Sequence, residues 1–252
     1  MSMSPKKNPW IEYAIGRSRP RLRLFCLPYA GGSASLYRDW AAQLPDTVEV
    51  CPVQLPGREQ RLDERPFSRI EPLVEALAVA LRPQLDIPFA LFGHSMGALI
   101  AFELARQLRR QGLPMPVHLF ASGRHAPHRP DPVPPIHNVP DETLLAEVRR
   151  LQGTPDGIWE DPELRALFLP ILRADFSVNE SYRHIREAPL ACGISAFGGL
   201  EDYKVGREDL TGWQQHTQGA FALRMLPGGH FFMRESASTR LLHAISAQLT
   251  RA

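Results

Sequence analysis

Short apolar runs alternate with longer stretches in which apolar residues recur every three or four positions, and this alternation holds over most of the chain. "LRLFCLP" (22–28), "VEVCPVQLPG" (48–57), "PFALFG" (88–93) and "VHLFASG" (117–123) are brief runs bounded by turn residues, the pattern of buried strands. Between them, residues 68–85 and "MGALIAFELARQLRRQG" (96–112) repeat with a helical period. Ser68 and Glu71 have the spacing of a capping box, and Gly112 stands where a left-handed residue ends a helix. In the second helix Glu103, Arg106, Gln107 and Arg110 share a polar face, opposite Leu99, Phe102, Ala105 and Leu108. Strands alternating with helices predict βαβ units, hence an α/β protein with a mostly parallel sheet covered on both faces.

The alternation stops after residue 123. Residues 124–140 carry six prolines in seventeen positions, which predicts a rigid irregular connection. Two helical patterns follow, 141–153 and 161–176, and Pro170 is expected to kink the second. Leu164, Leu167, Phe168, Ile171 and Leu172 fall on one side of it. Residues of about 125–187 therefore read as a helical insertion over one edge of the sheet. Most of its apolar residues, among them Leu144, Leu145, Val148, Leu167, Phe168 and Phe176, are expected to form a local core. The sheet pattern resumes at 190–199, then come a short helix near Trp213, a strand in "FALRMLPGG" (221–229) and a last helix from about 236. A length of 252 residues is compatible with one domain over 1–252 carrying this insertion.

Composition removes several function classes. With 44% hydrophobic residues, 22% charged residues and a net charge of +2, the chain lacks the basic balance of a nucleic-acid binder. No apolar run approaches a membrane span, and the opening residues lack the apolar core of a secretory signal, so a cytoplasmic protein without membrane partners is expected. Cys26, Cys51 and Cys192 are far apart and in apolar surroundings, which predicts reduced core thiols. No metal-ligand spacing occurs, and neither a metal nor a cofactor is called for.

The candidate chemistry centres on "GHSMG" (93–97), a GxSxG pentapeptide between a predicted strand and a predicted helix. A sharp strand-to-helix turn lifts the Ser95 hydroxyl over the end of the sheet. Only glycine tolerates the backbone approach on either side, and the helix that follows aims free N–H groups at the reaction centre. Ser95 is thus a candidate nucleophile, which needs a base. Of nine histidines, His230 in "LPGGHFFM" follows a late strand on a glycine turn. His94 and His118 lie too early, His125, His128, His137 and His184 fall in the insertion, and His216 and His243 lie in helical stretches. The acid is read as Asp202 in "AFGGLEDYKV", with Glu201 as the neighbour that a one-residue register error would substitute, and Asp209 as a solvated helix residue. The Met96 amide and an amide of the "LPYAGGSA" loop, Ala30 in the first place, are the candidate oxyanion donors. A phosphate-binding loop is the competing reading of that loop, but the Walker lysine is absent and GxGxxG is not met.

In their order, "LPYAGGSA", "LPGREQR", "FGHSMGALIAFELAR", "GGLEDYKV" and "LPGGHFF" resemble the type II thioesterases, the stand-alone editing hydrolases of nonribosomal peptide and polyketide synthesis. The resemblance spans about residues 22–232. It implies an α/β-hydrolase fold, a triad of Ser95, Asp202 and His230, oxyanion donors at Ala30 and Met96, and an insertion that acts as a mobile lid over an acyl chamber. It also implies partners: carrier protein domains bearing acyl or aminoacyl groups on phosphopantetheine, met by a chain that is itself a monomer. Tyr29 departs from the pattern, since many relatives carry histidine there. Arg17, Arg19, Arg21 and Arg23, or Arg149 and Arg150, would be exposed to an acidic carrier, though solvated surface is their plainer role. The same triad also suits a small-molecule carboxylesterase, a lipase or an acyltransferase, and a non-catalytic synthase-docking protein is the reading from outside enzymes.

Overall fold

Among the described residues, six strands form one wholly parallel sheet in the order β2-β1-β3-β4-β5-β6: β1 Leu22–Leu27, β2 Val48–Pro52, β3 Phe89–His94, β4 His118–Ser122, β5 Gly193–Gly199 and β6 Phe221–Leu226. The computed structural model describes residues 8–131, 134–150, 157–234 and 237–250. The helices are α1 Ile70–Leu81, α2 Met96–Arg110, α3 Asp141–Arg150, α4 Gly157–Glu160, α5 Pro162–Glu180, α6 Arg207–Thr211 and α7 Ser238–Leu249. Among the described residues, no helix is long and apolar enough to cross a membrane.

The central strands are apolar throughout because each faces two cores, and successive side chains alternate between them. Phe25, Leu27, Phe89, Leu91, Leu119 and Ala121 pack on one face with residues of α1 and α2. Leu24, Cys26, Ala90, Phe92 and Phe120 pack on the other with Tyr37, Trp40 and α7. The strand order reverses between β1 and β3. In such sheets the crevice beyond the strand C-termini at the reversal is where ligands bind.

Local expectations hold unevenly. Gly112 does close α2, at φ +64°. The Ser68–Glu71 capping box does not form: α1 starts at Ile70, its N-cap is Arg69, and no side chain caps it. The α-helix read over 68–85 ends at Leu81 and gives way to a 3-10 turn at Arg82–Gln84, where Pro83 stands, whereas the strand and turn read over 48–57 hold, the strand ending at Pro52. The polar face of α2 is solvated only at its C-terminal end, where Arg110 is exposed. Glu103 and Arg106 are buried, paired with each other at 2.5 Å, with Glu187 on Arg106 at 2.7 Å and the Tyr182 hydroxyl donating to Glu103 at 2.8 Å.

Between β4 and β5, α3 and α5 share a small core of Ile136, Leu144, Leu145, Val148, Leu169, Leu172 and Phe176. Leu164 and Leu167 stand outside it, exposed, because α5 turns its Leu169, Leu172 and Phe176 face inward. α5 continues through Pro170. α3 ends at Arg150, and the expected continuation through 151–153 lies outside the described residues.

Two buried histidines make stability acid-sensitive. Burial holds His118, hydrogen-bonded to Ser195 Oγ at 2.9 Å, down at about 4, and it holds His216, aided by His128 and His184, at about 4. In the unfolded chain both titrate near about 6.5. Between those values the unfolded state binds more protons, so the stability present above about pH 6.5 declines as pH falls toward 4. The melting temperature is expected to be lower at pH 5 than at pH 7.5, and His118→Gln to reduce the difference. A flat melting profile across that range would contradict the assignment.

Candidate active site

Ser95 sits in the crevice between β1 and β3. It adopts φ 53°, ψ −114°, a region costing on the order of 1–3 kcal/mol for a side-chain-bearing residue. Its N–H donates to Ser122 O at 2.8 Å, which anchors the turn to the neighbouring strand. Both glycines of the pentapeptide are required by contact. A Cβ on Gly93 would lie 2.0 Å from Gly97 O, and one on Gly97 would lie 2.1 Å from Leu27 O. These are backbone atoms of packed elements, so Gly97→Ala is expected to cost about 3 kcal/mol, a drop in melting temperature of roughly 6–12 °C. Unchanged melting would show that α2 can retreat from β1.

Asp202 and His230 leave the same edge of the sheet on adjacent loops. β5 and β6 pair as parallel neighbours, Gly199 opposite Leu226. Beyond them the loops touch backbone to backbone, since a Cβ on Gly199 would meet Gly229 O at 2.3 Å. This closeness brings Asp202 Oδ2 to 2.8 Å from His230 Nδ1. The Asp202 side chain is fully buried, and its Oδ1 accepts the Lys204 and Val205 N–H groups at 2.9 and 3.3 Å. A carboxylate only accepts, so His230 Nδ1 carries a proton, and in the neutral ring the lone pair is on Nε2. Glu201 is exposed, and Asp209 instead caps α6 through the Gly206 N–H at 3.0 Å.

One cavity is lined by Ser95, His230, Tyr29 and Ala30 together with Ile136, Val148, Leu172 and Phe176 from the segment between β4 and β5. Met96 is the first residue of α2, where helix N–H groups have no partner within the helix. Neither its amide nor that of Ala30 donates a hydrogen bond among the described residues.

A family model for the thioesterase domain matches residues 22–249. The chain belongs to the thioesterase family. It is a hydrolase acting on thioesters, with the α/β-hydrolase fold. The thioesterase is 46% identical to the gramicidin S biosynthesis protein GrsT of Aneurinibacillus migulanus over 236 residues, 94% of this chain and 92% of that one. Its structure is similar to RedJ, the thioesterase from the prodiginine biosynthetic pathway of Streptomyces coelicolor, with 42% identity, 97% and 96% coverage and a TM-score of 0.87. It is likewise similar to the type II thioesterase BorB from the borrelidin biosynthetic cluster, with 36% identity, 95% and 97% coverage and a TM-score of 0.80.

Several contacts around this cavity escape a sequence reading. His94 lies against His230, ring centroids 5.2 Å apart, with its Nδ1 at 2.9 Å from Ser122 Oγ. Burial, and then the neighbouring His230, push its pKa well below the usual histidine value, so it stays neutral and does not repel a charged His230. Tyr29 packs edge-on against Phe231 at 4.7 Å, and its hydroxyl accepts from Arg234 at 3.1 Å. Arg58, in the "LPGREQR" stretch, makes a buried two-pronged pair with Asp175 of α5 at 2.7 and 2.9 Å. The one signal for that pair in the sequence is a lone aspartate within the apolar "LPILRADFSV".

Proposed function

We propose that this thioesterase releases acyl or aminoacyl groups held on the phosphopantetheine arm of carrier proteins, through a triad of Ser95, His230 and Asp202. The observation that carries the reading is an imidazole held by a saturated, buried carboxylate, on the wall of a cavity shared with a serine at positive φ. His230 Nε2 takes the Ser95 proton as Oγ attacks the thioester carbon. The tetrahedral oxyanion accepts the Ala30 and Met96 amides. Its collapse expels a thiol whose pKa of about 8.5 makes protonation by His230 a light demand, leaving acyl-Ser95. Water gives its proton to His230 and attacks the acyl carbon; the second intermediate collapses to the free acid and returns the proton to Ser95 Oγ.

The segment carrying α3 and α5 acts as the lid of the acyl chamber, supplying Ile136, Val148, Leu172 and Phe176 to its wall. The similarity to the type II thioesterase BorB supports the carrier-bound substrate, and the proposal places the reaction in the cytoplasm, alongside such carriers. Intact mass spectrometry of acylated carrier proteins, matched oxygen esters and free acyl thiols tests the reading. Release from the carriers is expected to be fastest. Equal rates on all three would favour a carboxylesterase, and transfer to an added carrier thiol in place of water would mark an acyltransferase.

A further inference from the structure

The turn that supplies the Ala30 amide is held from outside. Gly31 N–H donates to Asp175 Oδ2 at 2.7 Å, and Gly32 O accepts Arg58 Nη1 at 3.1 Å, while Gly32 N–H closes the turn onto Tyr29 O at 2.9 Å. Because each peptide unit is planar, fixing the Gly31 N–H fixes the plane that it shares with the Ala30 carbonyl. The Ala30 N–H on the preceding plane is left little freedom. Arg58 is in turn held through Asp175 Oδ1 and Oδ2 and through Pro56 O at 3.3 Å from its Nε.

We propose that Asp175 is a positioning residue for the thioesterase reaction: held by Arg58, it aims the Ala30 amide at the developing oxyanion and makes that aim depend on the placement of α5. The proposal rests on the assignment of the Ala30 amide to the oxyanion. Buried ion pairs contribute little net stability compared with apolar groups of the same shape, so geometry is the more telling use of this one. Leu172, Asp175, Phe176 and Asn179 are spaced i, i+3, i+4 and i+7, one face of α5. Three of them line the cavity and the fourth holds the turn. Contact is tight: a Cβ on Gly31, at φ +76°, would lie 2.8 Å from Leu172 Cδ2. An acyl group packed against Leu172 and Phe176 thereby sets the helix that sets the oxyanion donor, so chamber filling acts on kcat more than on KM.

The test compares wild type, Asp175→Asn, and the double variant Arg58→Met with Asp175→Leu, on acetyl and octanoyl carrier proteins. The double variant removes both charges and leaves Gly31 N–H without its acceptor. Expected in both variants is a fall in kcat of about tenfold to a hundredfold, with KM nearly unchanged and the octanoyl-to-acetyl ratio of kcat reduced. Affinity for an alkyl boronic acid, which forms a tetrahedral adduct on serine, falls in parallel. A folded double variant with wild-type kcat would overturn the proposal and make the pair purely structural. If neither variant folds, Arg58→Lys, which keeps the charge and loses the fork, is read the same way: lower melting with unchanged kcat overturns it. Ser95→Ala is run alongside; turnover retained there would remove the underlying site assignment, whereas a dead Ser95→Ala with unaffected Asp175 variants would remove this proposal alone.

Discussion

Replacing Ser95 by alanine is expected to lower kcat by about five to six orders of magnitude while the protein remains folded, because the proposed mechanism loses its attacking oxygen. Among the described residues Ser95 Oγ makes no side-chain hydrogen bond that supports the fold, so the melting temperature should move by no more than about 2 °C. Acylated carrier protein should bind and persist. Ser95→Gly separates activity from strain: it is equally inactive, but glycine relieves the backbone at φ 53°, ψ −114°. It should melt above the alanine variant by roughly 2–4 °C, the equivalent of about 1 kcal/mol. Turnover within tenfold of wild type in either variant would remove Ser95 from the chemistry.

The geometry around Ser95 was legible where neighbouring residues encode it. Gly93 and Gly97 announce a close backbone approach, since a Cβ at either position would lie 2.0 or 2.1 Å from a backbone oxygen, and apolar strands alternating with helices foretell a two-faced sheet. What was illegible depends on distant partners. A helical wheel puts Glu103 and Arg106 in water, since it holds no knowledge that Tyr182 and Glu187 fold back over α2. Arg58 and Asp175 are 117 residues apart, and nothing beyond the apolar neighbours of Asp175 hints at the pair. Ser68 and Glu71 fail for the opposite reason. The local spacing is right, but extended backbone at Arg69 makes that residue the N-cap. Spacing alone also leaves Asp202 and Glu201 equivalent, whereas the loop hydrogen bonds turn one inward and leave the other in solvent.

Those loop hydrogen bonds dictate what Asp202→Asn should do. The Lys204 and Val205 N–H groups converge on the Oδ1 position and require an acceptor there. An asparagine must therefore place its carbonyl oxygen at that position and its NH2 group toward His230 Nδ1. Nδ1 then accepts, the proton moves to Nε2, and the nitrogen facing the cavity has no lone pair with which to take the serine proton. The expected loss in kcat is about 10⁴-fold with the fold intact, against little change for Glu201→Gln on the exposed neighbour. Imidazole ¹⁵N chemical shifts supply the independent readout. Neutral His230 should carry its proton on Nδ1 in the wild type and on Nε2 in the variant. An Nδ1-protonated ring in Asp202→Asn, or a kcat within tenfold of wild type, would show that this carboxylate does not set the tautomer on which the proposed chemistry depends.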